Sequence, residues 1–167
     1  MDKTLRKRVS MKNPVHFLAL GFGSGLIPKM PGTFGSLAAL PFLFAMSFVE
    51  LELFIAITVA SFLVGIYLCG KTARDLKTPD HGSIVWDEVA GMMVTFIAIP
   101  INPITLVIGF LLFRFFDILK PWPIRVLDKR VHGGFGIMID DIVAGAMACL
   151  CIHAIIYFLP NSSILSF

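Results

Sequence analysis

Charge is scarce in this chain. Of 167 residues only 15% are charged and 11 are acidic, against 57% hydrophobic residues. A soluble domain of this length carries charge on about a quarter of its residues, so the composition excludes an ordinary soluble domain and predicts an integral membrane protein. Cysteine is also sparse. Cys69, Cys149 and Cys151 all fall in apolar runs and read as small buried hydrophobes; a lone C-x-C pair does not make a metal site. The Gly-Lys-Ser/Thr ending of a Walker P-loop is absent, as is the D-x-D-x-T arrangement of the common aspartyl-phosphate phosphatases. Nucleic acid is a poor partner for the cations, which alternate with apolar stretches rather than lining one soluble face.

The cations that are present form three groups. Lys3, Arg6, Lys7, Arg8 and Lys12 make a basic arm over residues 1–14; Lys71, Arg74 and Lys77 follow; then come Arg114, Lys120, Arg125, Lys129 and Arg130. The apolar run 15–27 behind the arm is broken by Gly21, Gly23, Gly25 and Pro28, which argues for a retained interfacial segment rather than a cleaved signal peptide.

Five apolar segments follow, at 35–49, 53–70, 84–100, 103–119 and 141–159, with a short tail at 160–167. Glu50 and Glu52 mark one turn and Pro100-Ile101-Asn102-Pro103 another, because proline removes a donor and restricts its predecessor. The expected fold is all-α: a single-domain polytopic membrane bundle of about five helices over residues 1–167, with loops on the cytoplasmic face. With the arm cytoplasmic, all three basic groups fall on that side, as the positive-inside rule requires.

This topology brings the scarce acids to one face. Asp87 and Glu88 open one helix, Asp117 closes the next, and Asp140 and Asp141 are expected to open the last. Carboxylates at a membrane edge are costly unless paired with a cation or metal, so they are functional candidates by default. As hard oxygen donors they suit Mg²⁺; the bland alternatives are helix-dipole stabilisation for the pairs and ion pairing of Asp117 with Arg114 or Lys120. Asp87-Glu88-Val89-Ala90-Gly91 is echoed by Asp140-Asp141-Ile142-Val143-Ala144-Gly145, and such small residues let membrane helices approach closely. Two glycine-rich stretches add anion-binding capacity. Residues 21–25 lead into 28–36, where free backbone N–H groups could receive phosphate with Thr33 or Ser36 as helix cap. The loop His132-Gly133-Gly134-Phe135-Gly136 precedes the second acidic pair. Lys29, Arg114 and Lys120 are candidate phosphate-holding cations and His132 a candidate proton donor. Asp80 and His81 read as loop residues, and His16 and His153 as structural ones.

These segments resemble the bacterial phosphatidylglycerophosphatase A family. The matching stretches are Gly21–Gly25, Pro31-Gly32-Thr33, residues 35–39, residues 80–88, Phe113–Arg125, and His132-Gly133-Gly134 continuing through residues 136–145. The resemblance implies a Mg²⁺-dependent hydrolase of phospholipid biosynthesis in the bacterial inner membrane, its site facing the cytoplasm. Its substrate would be the membrane phospholipid phosphatidylglycerophosphate, dephosphorylated to phosphatidylglycerol. Asp87, Glu88, Asp117, Asp140 and Asp141 are then the expected metal ligands, with Asp87, Glu88 and Asp141 catalytic, and either water or a carboxylate as the attacking group. Two rivals stand beside this reading. A CDP-lipid phosphotransferase also uses membrane-edge aspartates and Mg²⁺, but its D-G-x-x-A-R pattern is missing; a small cation channel would explain the acids but not the glycine-rich loops.

Overall fold

The computed structural model describes residues 8–79 and 81–158. Lys3, Arg6 and Lys7 of the basic arm, Asp80 and the tail 160–167 lie outside the described residues.

Every regular element among the described residues is helical. Short helices α1 (Pro14–Ala19), α2 (Pro31–Ala38) and α3 (Leu40–Met46) precede α4 (Leu51–Leu76); α5 (Trp86–Thr95) and α6 (Pro103–Leu119) form a hairpin; α7 (Ile124–Arg130) leads to α8 (Gly133–Phe158). Among the described residues only α4 and α8, 26 residues each, are long and apolar enough to cross a membrane by length and composition. At 1.5 Å per residue each reaches about 39 Å, beyond a hydrocarbon core of about 30 Å.

Three expected segments come out differently. The run 35–49 is divided between α2 and α3. The run 84–100 yields a ten-residue helix, because the chain leaves helical geometry after Thr95 and Ala98 takes a left-handed φ of 56°. Asp140 and Asp141 do not open the last helix: α8 begins at Gly133 and carries them about two turns inside.

The hairpin turn follows its chemistry. Pro103 occupies the first turn of α6, where its missing N–H is not needed, and the Asn102 side chain accepts from the N–H groups of Ile104 and Thr105 at 3.0 and 2.9 Å. The Asn102 N–H in turn donates to Thr105 Oγ1 at 2.9 Å, completing a capping box. Along α6, Thr105, Gly109 and Phe113 are buried on one face. Ile104, Val107, Leu111, Phe115 and Ile118 form an exposed stripe on the other. Exposed apolar residues at this helical spacing, joined by Leu53, Leu63, Val64 and Tyr67 of α4 and Leu150 and Tyr157 of α8, make a surface suited to lipid rather than water.

α8 is the hub, packing on α4, α5, α6 and α7. Two close approaches fix it. A Cβ on Gly145 would collide with the Gly91 carbonyl, and one on Gly134 with the Ile66 carbonyl. The basic arm is tied to the end of α4, where Arg8 Nη1 donates to the Leu76 carbonyl at 2.8 Å, a favourable place for a cation beside a helix C-terminus.

Candidate functional site

The start of α5 is held by three neighbours. The Val85 N–H donates to the Ala19 carbonyl at 2.9 Å, and Trp86 Nε1 donates to the Ser61 carbonyl of α4 at 3.2 Å. Gly21, Gly25 and Gly35 all lie against the 83–85 segment, so closely that a Cβ on any of them would clash with Ser83 or Val85. Gly21 and Gly25 therefore pack the chain onto the root of α5, Gly23 lies by Met11, and the structure does not bring them to the carboxylates as an anion loop. Nothing in the sequence separates these two uses of glycine.

With α5 fixed and crossed by α8 at Gly91 and Gly145, the carboxylates of Asp87, Glu88 and Asp141 converge. Each offers an oxygen, and the three lie within 4.8 Å of one another. Glu88 and Asp141 are only 9% and 4% exposed. Glu88 Oε2 is buried without a hydrogen-bond partner among the described residues. Three carboxylates this close and this shielded repel one another at about 332/(εr) kcal/mol per charged pair, so the arrangement calls for protons or a cation between them. An all-oxygen donor set with an unsatisfied buried oxygen fits a hard divalent cation such as Mg²⁺.

Asp117 stands beside this trio, close enough to act on Asp141 electrostatically, and is paired to Arg114 Nη1 at 2.5 Å. Asp140 faces elsewhere. Successive residues on a helix point about 100° apart, so Asp141 turns to the trio while Asp140 turns to α7. There Lys120 Nζ donates to Asp140 Oδ2 at 2.7 Å and to Asp128 Oδ1 at 2.5 Å. Burial works against the Lys120 ammonium, yet its bonds to Asp128 and Asp140 outweigh that cost and raise its pKa above the ordinary lysine value. Asp128 carried no signal in the sequence that marked it as the partner of Lys120.

The remaining candidates are spread around this centre. Arg114 lies against Gly32, and its Nε is buried with no partner among the described residues. Ser36 does not cap α2; its hydroxyl donates to the Gly32 carbonyl at 2.9 Å within the helix. Thr33, half-buried, sits in the first turn of α2 and Lys29 is exposed just before it. His132 is exposed, its Nδ1 3.2 Å from the Arg130 carbonyl oxygen. It lines a cavity of ≈ 70 Å³ with Asp128 and Asp140. His16 and His153 have structural partners: Asp75 for the first at 3.0 Å, the Ile97 carbonyl for the second at 3.2 Å.

An apolar all-α chain whose central helix brings a buried carboxylate to two others on a neighbouring helix is, as a class, a membrane-type protein with an acidic centre suited to a divalent cation. Comparison with known proteins makes this specific: the chain belongs to the phosphatidylglycerophosphatase A family, whose sequence profile matches residues 17–156. It is 51% identical to phosphatidylglycerophosphatase A of Escherichia coli (strain K12) over 157 residues, covering 93% of this chain and 89% of the relative. It is 48% identical to phosphatidylglycerophosphatase A of Haemophilus influenzae over 155 residues, covering 92% of this chain and 95% of that protein. No solved structure matches the chain.

Proposed function

We propose that the protein removes the terminal phosphate of phosphatidylglycerophosphate at a Mg²⁺ site formed by Asp87, Glu88 and Asp141, releasing phosphatidylglycerol. Family membership supports the reaction and the lipid. The convergence of three shielded carboxylates is the observation that carries the metal. When bound, Mg²⁺ neutralises phosphate charge and polarises the phosphoryl group.

The chain's own residues supply the rest. Arg114 is fixed through Nη1 by Asp117 and keeps an unpartnered Nε, so its planar fork can hold a phosphate oxygen without giving up that pair. The Gly32 and Thr33 N–H groups lie in the first turn of α2, where helix geometry offers no internal acceptor, and the positive helix end favours an anion. Lys29 adds a nearby cation. Lys120 holds α7 against α8 through Asp128 and Asp140, which leaves one of its three ammonium donors for a phosphate oxygen. His132 is an accessible proton donor beside that clamp. In the reaction the bond from phosphorus to the lipid oxygen breaks, water supplies the oxygen of the released phosphate, and the lipid alcohol takes a proton.

The same reading puts the site on the cytoplasmic face of the inner membrane. Lys77, Lys120 and Arg130 lie at helix ends and Arg8 is bonded to the end of α4; the positive-inside rule assigns such cations to the cytoplasm. In this reading α4 and α8 are full spans and α6 is nearly one, while α2–α3 and α5 run part-way. In a cysteine-free background, Lys129→Cys should react with a membrane-impermeant maleimide in inverted vesicles and stay unlabelled in right-side-out ones. For the chemistry, detergent-purified protein should release phosphate from phosphatidylglycerophosphate and no CMP from a CDP-lipid; the opposite pattern would assign it to the phosphotransferases.

A further inference from the structure

One glycine touches both halves of the proposed site. A Cβ built on Gly32 would overlap Glu88 Oε1 and lie 3.1 Å from Arg114 Nη1. Its φ lies outside the left-handed range that favours glycine, so the residue is not needed for the backbone conformation. What glycine provides is the space of a missing methyl. That space lets the first turn of α2 rest directly on a carboxylate of the trio and on the guanidinium held by Asp117. Pro31 before it and the Ser36 hydroxyl bonded to its carbonyl fix this turn. Gly35, against Val85, sets the distance of α2 from α5.

We infer that Gly32 is a positioning residue: its bare Cα sets the separation of Glu88 from Arg114, and with it the register of bound cation and phosphate. The inference rests on reading Asp87, Glu88 and Asp141 as the cation site. Two functions that the sequence spreads over residues 88 and 114 are thereby adjusted by one backbone contact from α2. A methyl at this point displaces Glu88 Oε1 from its place in the trio and crowds Arg114 in the same step. A purely structural glycine would behave otherwise, because alanine is the better helix former and would on that ground leave α2 as stable or more so.

The test is Gly32→Ala in the full-length, detergent-purified protein, with Gly82→Ala as control, since nothing lies within 4 Å of a Cβ at Gly82. Mn²⁺ affinity is read by electron paramagnetic resonance without substrate, and inorganic phosphate by its inhibition constant in turnover. Misplacing a group that supports a metal ligand weakens metal binding by about 10–100-fold. The expected result is a loss of that order in Mn²⁺ affinity and a weaker inhibition constant for phosphate, in a protein that still unfolds cooperatively without metal. Gly82→Ala should match wild type in all three. Unchanged Mn²⁺ affinity in a folded Gly32→Ala protein would overturn the inference, as would loss of the folded state, because the methyl would then act beyond Glu88 and Arg114. Absence of Mn²⁺ binding by the wild type would count instead against the cation site itself.

Discussion

Gly145→Ala probes how the carboxylate centre is assembled. A methyl on Gly145 would run into the Gly91 carbonyl oxygen and lie 3.2 Å from Cβ of Val94. Carbon and oxygen in close contact settle at about 3.3–3.6 Å, so α5 and α8 must part by about 1 Å. Asp141 lies four residues before Gly145 and Glu88 three before Gly91, so the displacement acts on ligand atoms that now lie within 4.8 Å. A 1 Å misplacement of reacting groups can cost about 100-fold in rate, equivalent to about 3 kcal/mol of barrier. Overpacking costs stability about 1–3 kcal/mol, which should lower the thermal midpoint without abolishing the fold. The assay is phosphate release from phosphatidylglycerophosphate, with thermal midpoints on the same preparations. Gly109→Ala is the comparison: its Cβ would press on Phe96 at 2.5 Å, with no carboxylate among its nearest neighbours. It should lose similar stability and keep most of its kcat. Wild-type turnover by Gly145→Ala, or equal losses in both variants, would refute the claim that this crossing sets the site.

Glu88→Gln and Asp141→Asn should each leave the protein folded, lower Mn²⁺ affinity and reduce turnover by at least about 100-fold, as expected when a metal site loses a charged ligand. Arg114→Lys should raise KM for the lipid more than Lys29→Ala does, because a point charge cannot replace a planar fork held by Asp117. Lys120→Met leaves the shielded Asp140 carboxylate without its cation and should cost about 1–3 kcal/mol of stability, seen as a lower thermal midpoint. Since the Lys120 pKa is raised in the fold, that difference should persist from neutral pH up to the ordinary lysine value of 10.5 and fade as pH rises through the raised value.

Which parts of this architecture were legible in the sequence follows from where the physics is local. The α5–α6 turn was legible because Pro100, Asn102 and Pro103 act within four residues, through a missing donor and a capping box. That Glu88 and Asp141 share one depth was legible, because proline and charge pointed both to the same end of their helices; their lateral meeting was not, because it depends on the crossing of α5 and α8 at Gly91 and Gly145. The division between Asp140 and Asp141 was not, because it depends on the phase of a helix beginning at Gly133, in a stretch whose glycines read as a loop. Gly134 and Gly136 are instead demanded by the Ile66 and Val131 carbonyls that press against them. Gly21 and Gly25 misled in the same way: backbone freedom and close packing call for the same residue. Only the neighbour, Val85 rather than a phosphate, tells them apart. The Lys120 clamp was half visible, since Asp128 lies on a seven-residue helix that no apolar periodicity announces.

The most direct test of the account is phosphate release from phosphatidylglycerophosphate by the purified protein after chelation, followed by Mg²⁺ add-back. Activity lost with the chelator and restored by Mg²⁺ in wild type, but not in Asp141→Asn, is the predicted result. Phosphate release that continues undiminished in the chelator would contradict a cation held by Asp87, Glu88 and Asp141.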